Sequence, residues 1–258
     1  MNKEDIARLK DLLDEKYFLY NRPDFIENDP IQIPKSFSEK EDIEIAAFLS
    51  ATIAWGNRKS IINNARKWIR MMDNSPFDFV MSHTEKDLKS LLSFKHRTFN
   101  GIDAVFFIQA LQNIYKFHGG PEQVFITGYE KEKNIYSAIS YFRRIFFEIP
   151  HPERTGKHIS NVEKNSAAKR INMFLRWMVR KDKSGVDFGL WDLPAAALML
   201  PLDVHTGNVS RNLGLLNRKQ NDWKAVEEVT SNLRNFDPND PVKYDFALFG
   251  MGVEPNKI

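Results

Sequence analysis

The chain has 258 residues, 42% hydrophobic and 28% charged, with a formal net charge of +3, an ordinary globular composition with room for one large helical domain or two lobes. Its longest apolar runs, around residues 46–55 and 195–200, are too short to span a bilayer. There is no cysteine and the six histidines are scattered, which excludes disulfides, thiolate nucleophiles and cysteine-ligated iron–sulfur clusters and argues against a dedicated metal site. A Gly-rich phosphate loop is also missing, so nucleotide-cofactor enzymes drop down the list. The expectation is a cytoplasmic monomer with no cofactor and no membrane partner; residues 1–5 lead into a charged helix and carry no signal-peptide pattern.

In chain order, residues 5–17 place Ile6, Leu9, Leu12 and Leu13 on one side of an amphipathic helix. A connection punctuated by Pro23, Pro30 and Pro34 follows. Ser38-Glu39-Lys40-Glu41 has the pattern of a capping box. It opens a helix whose faces are all apolar, from Ile43 and Ile45 through Phe48 and Leu49 to Ala54, so deep burial is expected. Residues 57–72 restart a helix on Ile61, Ala65, Trp68 and Met72, ended by Ser75-Pro76. Residues 103–117 and 136–147 read as helices separated by a break at Gly119-Gly120-Pro121. The polar stretch 150–165 reads as a loop or junction, and helices are expected at 166–181, 203–216, 222–236 and from 244 to 250. No useful strand alternation is present, so the expected class is all-α, with one helical lobe over residues 40–150 and a second from residues 1–39 and 151–258.

Charge is unevenly spread. Residues 154–183 carry nine Lys/Arg against Glu163 and Asp182, a local +7, while residues 24–44 carry seven acids against Lys35 and Lys40. A basic stretch of this kind suits an anionic partner such as nucleic acid, or is simply a solvated helix face.

The most informative feature is Pro201-Leu202-Asp203-Val204-His205. Pro201 disfavours helix at Leu200 and bends the chain, which leaves Asp203 at an N-cap or first-turn position ahead of Val209, Leu213 and Leu216. A plain N-cap explains this placement. A carboxylate there is also suited to catalysis, because helix amides and dipole favour its charge. Such an anion can stabilise the oxocarbenium character that develops as a glycosidic bond breaks. Asp203-x-His205 is a poor metal pair, since residues i and i+2 diverge on a helix; His205 is better placed to bond backbone or a DNA phosphate.

Residues 202–215, Leu-Asp-Val-His-Thr-Gly-Asn-Val-Ser-Arg-Asn-Leu-Gly-Leu, resemble the catalytic-Asp helix of the helix–hairpin–helix DNA glycosylase superfamily. Residues 45–52 are similar to that superfamily's buried early helix, whose end feeds a DNA-penetrating loop, and residues 244–250 resemble the short helix that ends its domain. Order and spacing agree over about residues 40–252, and the whole chain resembles an uncharacterised bacterial family of this length, a distant branch of the superfamily. The resemblance implies a two-lobed glycosylase-like fold, duplex DNA as partner, a cleft receiving an extruded base, and Asp203 as the essential carboxylate. The hairpin is atypical: residues 182–200 hold Gly185, Gly189 and Leu193-Pro194-Ala195 but no Gly-x-Gly. No cluster-binding cysteines follow Gly252, which excludes the iron–sulfur subfamilies.

Residues 168–174 resemble the corresponding region of the archaeal 8-oxoguanine glycosylase branch, which implies Lys169 as a Schiff-base nucleophile and hence lyase activity. A helix N-terminus and a nearby cation, here Arg170, favour a neutral, nucleophilic amine. A surface phosphate contact is the competing role for Lys169. Arg170, Arg176, Arg180 and Arg211 are the expected DNA contacts on this side, with Arg176 and Arg180 on the helix face of Lys169. Asn57 or Arg58 stands where family members fill the gap left by a flipped base. His96, with Phe99 nearby, could line a base pocket or belong to a helix-capping loop. A DNA-binding relative without catalysis is the alternative function, and an unrelated helical hydrolase using Asp203 and His205 a weaker one.

Overall fold

The computed structural model describes residues 3–27 and 29–254. Its helices are α1 (Lys3–Tyr20), α2 (Lys40–Thr52), α3 (Arg58–Arg70), α4 (Pro76–Ser82), α5 (Glu85–Leu91), α6 (Gly101–His118), α7 (Gly120–Glu132) and α8 (Ile135–Phe146). They continue with α9 (Lys169–Val179), α10 (Val204–Asn212), α11 (Trp223–Arg234) and α12 (Asp245–Val253). The protein is all-α. Among the described residues, strand pairing is confined to a hairpin of β1 (Lys95–His96) and β2 (Phe99–Asn100) and one isolated bridge, Ser166 to Asp222. No described helix is long and apolar enough to cross a membrane.

The chain divides into two compact units: Glu27–Asn161, and Met1–Ile26 together with Val162–Ile258. The first is wider than the 40–150 lobe expected from sequence. On its early side the turns Pro30–Gln32 and Pro34–Ser36 bury Ile31 and Pro34. On its late side the Thr155 hydroxyl donates to Asp103 Oδ1 at 2.8 Å.

In the 27–161 unit, α2 is the central helix, with every residue from Ile43 to Thr52 buried. Phe48 stacks on Phe107 (ring centroids 5.8 Å apart) and meets Phe142 and Phe146 edge-on, while Trp68 reaches Phe94 and Phe99 at 4.8 and 5.0 Å. Aromatic edges against faces satisfy the ring quadrupoles as well as filling volume. The expected capping box at residues 38–41 does not form: Glu39 is the N-cap of α2 and makes no side-chain cap bond. The break at Gly119-Gly120-Pro121 is a junction between two abutting helices. Gly119 closes α6 in the left-handed region (φ 74°), and Pro121 stands in the first turn of α7, where a missing N–H costs nothing.

In the other unit α12 packs closely on α1: a Cβ added at Gly250 would stand 2.2 Å from the Tyr20 ring. Polar bonds finish this contact. Tyr244 donates its hydroxyl to Asp14 at 3.0 Å, and Lys243 bridges Asp14 and Asp237 at 3.3 and 2.7 Å. The starts of α9 and α11 are joined by the Trp223 N–H donating to the Asn165 carbonyl (3.2 Å) and the Asn165 amide donating to Asp222 (2.9 Å). These joints fix the entry of α9 and hence the position of Lys169.

Candidate active site

Asp203 is the N-cap of α10, with the extended backbone a cap requires (φ −127°, ψ −165°). Its Oδ1 accepts from the backbone N–H groups of His205 (2.9 Å) and Thr206 (3.0 Å), and Thr206 Oγ1 accepts from Asp203 N–H at 2.8 Å. This reciprocal box explains one carboxylate oxygen. The other, Oδ2, stands 3.7 Å from Lys169 Nζ, in a pair whose side chains are 22% and 30% exposed. The two residues are thus joined across 34 positions of sequence, and both side chains are part-exposed.

The cap of α9 behind Lys169 is unusual. Ala168 is buried and takes a left-handed conformation (φ 48°, ψ 35°), with no side chain able to cap the helix. A residue with a Cβ is strained there by about 1 kcal/mol or more. The Ser166 hydroxyl accepts from Ala168 N–H at 3.3 Å, and Asn172 Nδ2 donates to the Ala167 carbonyl at 3.2 Å, which hold the turn. The helix start that presents Lys169 is therefore over-determined by its surroundings.

Beneath the pair lies a buried ionic network that the sequence did not disclose. Arg176 is 8% exposed; its Nε lies 3.3 Å from Asp187 and its Nη1 pairs with Asp245. Arg180, 1% exposed, bonds Asp187 and Asp182 through Nη1 (3.1 and 3.2 Å), Asp240 through Nε (2.8 Å) and the Tyr17 hydroxyl through Nη2 (2.7 Å). The expectation that Arg176 and Arg180 face DNA beside Lys169 is corrected: their face of α9 turns inward, because carboxylates from 182, 187, 240 and 245 converge on it. Burial drives the Asp245 carboxyl up to about 6, with Asp203 nearby adding to the rise and Arg176 and Lys169 opposing it. Asp187 is likewise raised by burial against the pull of Arg176 and Arg180.

The remaining candidates on this unit have structural partners. Arg170 is half-buried, and burial lowers its guanidinium to about 10, which leaves it charged at neutral pH. Arg211 donates to the carbonyls of Arg218 (2.8 Å) and Lys219 (2.9 Å) and to Asn221 Oδ1 (2.6 Å), so it braces the loop after α10. Asn221 in turn donates to the Asp203 carbonyl at 3.0 Å. His205 is exposed, with Nδ1 3.3 Å from the Gly252 carbonyl. The segment 180–203 holds no second hairpin helix. It folds back on the end of α9 through Phe188 and Trp191 N–H bonds to the carbonyls of Trp177 and Met178 (2.8 and 2.9 Å) and carries one 3-10 turn, Ala195–Ala197.

Asn57, Arg58 and His96 belong to the 27–161 unit. Asn57 caps α3 through Ser60 N–H at 3.1 Å, and Arg58 is exposed in the first turn of that helix. His96 is buried: its Nδ1 faces Asn64 Nδ2 at 3.0 Å and its Nε2 faces the Trp55 carbonyl at 3.2 Å. Burial lowers its pKa, which favours the neutral ring that donates from Nε2 and accepts at Nδ1. Phe99 is fully buried among Trp68, Phe94 and Phe107, so the His96–Phe99 cluster is core and capping loop, with Asn100 and Asp103 forming the box that starts α6. Asp103, buried and held low by Asn100 N–H, Thr155, Arg154 and His158, was not singled out from sequence; its Asn-x-x-Asp spacing was the available signal. The basic run 154–183 also proves less available than its count suggests, because Arg154, Lys169, Arg176 and Arg180 are all ion-paired. Among the described residues no group of three or more His, Asp or Glu side chains is arranged to hold a metal ion.

Residues 29–254 match the family model described as protein of unknown function (DUF2400). No curated protein and no solved structure matches the chain. The chain belongs to the DUF2400 family.

Proposed function

We propose that this protein is a DNA base-excision glycosylase with associated lyase activity, acting through Lys169 and Asp203. The observation that carries the reading is the approach of Lys169 Nζ to Asp203 Oδ2 at 3.7 Å, on the carboxylate oxygen that the helix cap leaves over. A cap alone has no use for a lysine, and a bare ion pair has no use for a strained helix start behind it. The sequence resemblance to the helix–hairpin–helix glycosylases supplies the substrate class.

In this mechanism the Lys169 amine attacks C1′ of the target deoxynucleoside as the C1′–N bond to the damaged base breaks. The base departs with the bonding electron pair and takes up a proton, and Asp203 stabilises positive charge developing at C1′. Asp203 Oδ2 accepts the proton that Nζ loses as the N–C1′ bond forms. Asp203 then passes that proton to O4′ as the nitrogen lone pair opens the C1′–O4′ bond, which gives the protonated imine joined to Lys169. Loss of a C2′ proton then expels the 3′ phosphate and cuts the strand. Asp245, paired with Arg176, lies near enough to the pair to feel the charges of Asp203 and Lys169.

The test is incision of end-labelled duplexes carrying 8-oxoguanine, uracil or an abasic site, followed with and without alkali. We expect spontaneous strand cuts at one of these lesions, and in Lys169→Gln either no cut or cuts only after alkali. Binding without any base release would leave a non-catalytic DNA-binding relative; no binding would defeat both.

A further inference from the structure

Helix α3 carries five cations, Arg58, Lys59, Arg66, Lys67 and Arg70, and no acid. Its apolar face, Ile61, Ile62, Ala65, Trp68 and Ile69, is buried in the core of the 27–161 unit, and all five cations stand on the exposed side. Among the described residues, Lys59, Lys67 and Arg70 form no ion pair, and Arg66 donates to the neutral amide of Gln32. Lys59, Asn63, Arg66, Lys67 and Arg70 follow i, i+4, i+7, i+8 and i+11, so they share one face and form a track about 16 Å long. The N-terminal half borders a groove of about 460 Å³ lined with Gln32, Asn63 and Arg66, and with Glu27 as its one acid. The hairpin bearing exposed Lys95 and Arg97 is tied to this helix through Asn64 and His96.

We infer that the exposed face of α3 is a duplex-DNA phosphate-binding surface, separate from the residues proposed for catalysis. Charge selects a polyanion. The same face excludes two other classes of polyanion. None of the exposed large hydrophobic residues lies on α3, so the helix has no apolar wedge for an anionic membrane. Nor does it expose an aromatic side chain on which unpaired bases could stack, as single-strand binders do. Rows of Lys and Arg with Asn and Ser between them read the sugar–phosphate backbone and carry no base selectivity. The inference rests on the proposed function only for its premise that DNA is the partner.

The experiment measures binding of an undamaged fluorescent 25-base-pair duplex against salt, for the whole protein and for Lys59→Gln/Lys67→Gln/Arg70→Gln. These positions are exposed, so folding should be untouched, and circular dichroism checks it. Three lost phosphate contacts make the log–log salt slope shallower by about 3, so between 50 and 200 mM salt the parent loses about 40-fold more affinity than the variant. The charge-matched control Lys86→Gln/Lys89→Gln/Lys116→Gln should bind as the parent does. Equal slopes for parent and α3 variant, or an equal loss in the control, would overturn this surface while leaving DNA as the partner. Failure of the parent to bind duplex, with binding to phosphatidylserine vesicles or single strands instead, would overturn it together with the glycosylase reading. Duplex binding that depends on α3 in a protein that cuts no lesion would support the surface and defeat only the catalytic proposal.

Discussion

Replacing Asp203 separates the two jobs its carboxylate performs. Asn retains an oxygen that can accept from His205 and Thr206 N–H, at present 2.9 and 3.0 Å from Oδ1, while it removes the charge at Oδ2. Ala removes both. Losing an N-cap costs about 1–2 kcal/mol, whereas Asn and Asp cap about equally well. The part-exposed ion pair with Lys169 adds about 0.5–1 kcal/mol at most. For a chain of this size 1 kcal/mol corresponds to about 2–4 °C in Tm. Asp203→Ala, which loses both, should therefore lower Tm by about 2–12 °C and Asp203→Asn by about 4 °C or less. Activity should order differently: both variants lose the charge, so both should release base about 10²- to 10³-fold more slowly. Calorimetry and single-turnover base release read the two effects separately. If Asp203→Asn released base as fast as the parent, the carboxylate would be a cap and nothing more.

Three further perturbations test the surroundings of the pair. Arg176→Met strands two buried carboxylates, Asp187 and Asp245, and should destabilise the protein by about 3–5 kcal/mol in urea denaturation; a loss below 1 kcal/mol would mean the network is not buried as described. Asp245 is raised from 3.8 to about 6 by burial, so the folded state holds its proton where the unfolded chain has released it. The stability this contributes is full below about pH 4 and is lost as pH rises through about 6, a change of about 3 kcal/mol. Asp245→Asn should abolish that pH dependence; an unchanged dependence would assign it to another group. Gly250→Ala drives a methyl into the Tyr20 ring at 2.2 Å, and a cost of about 1–3 kcal/mol or more is expected, read as a lowered Tm; an unchanged Tm would show that α1 yields.

Much of the helical framework was legible because period and punctuation agree. Asp203 is the cap its position implied, ahead of α10, and the helices read from residues 57 and 222 do start there as α3 and α11, capped by Asn57 and Asp222. Where the reading went astray, a local signal had two meanings. Gly-Gly-Pro reads as an interruption of helix, yet glycine ends one helix and proline begins the next, α7. Ser38–Glu41 had the letters of a capping box, but Glu39 occupies the cap. The sign of charge on α9 was visible; its direction was not, because the acids that draw Arg176 and Arg180 inward come from residues as distant as 245. The same limit applied to the site. Lys169 and Asp203 were each identified from the letters around them, while their 3.7 Å approach depends on the joints between the starts of α9 and α11 and on the turn at Ala168. The basic face of α3 lay in plain view, but only its buried apolar side shows that the cations stand on the exposed side.

The most direct test of the central claim is borohydride trapping on a duplex with a single abasic site, followed by peptide mapping of the adduct. Reduction of the imine should yield a stable protein–DNA cross-link on the peptide that contains Lys169, absent in Lys169→Gln and strongly reduced in Asp203→Asn. A cross-link of full yield in Lys169→Gln, or none in the parent under conditions where it binds the duplex, would contradict the account.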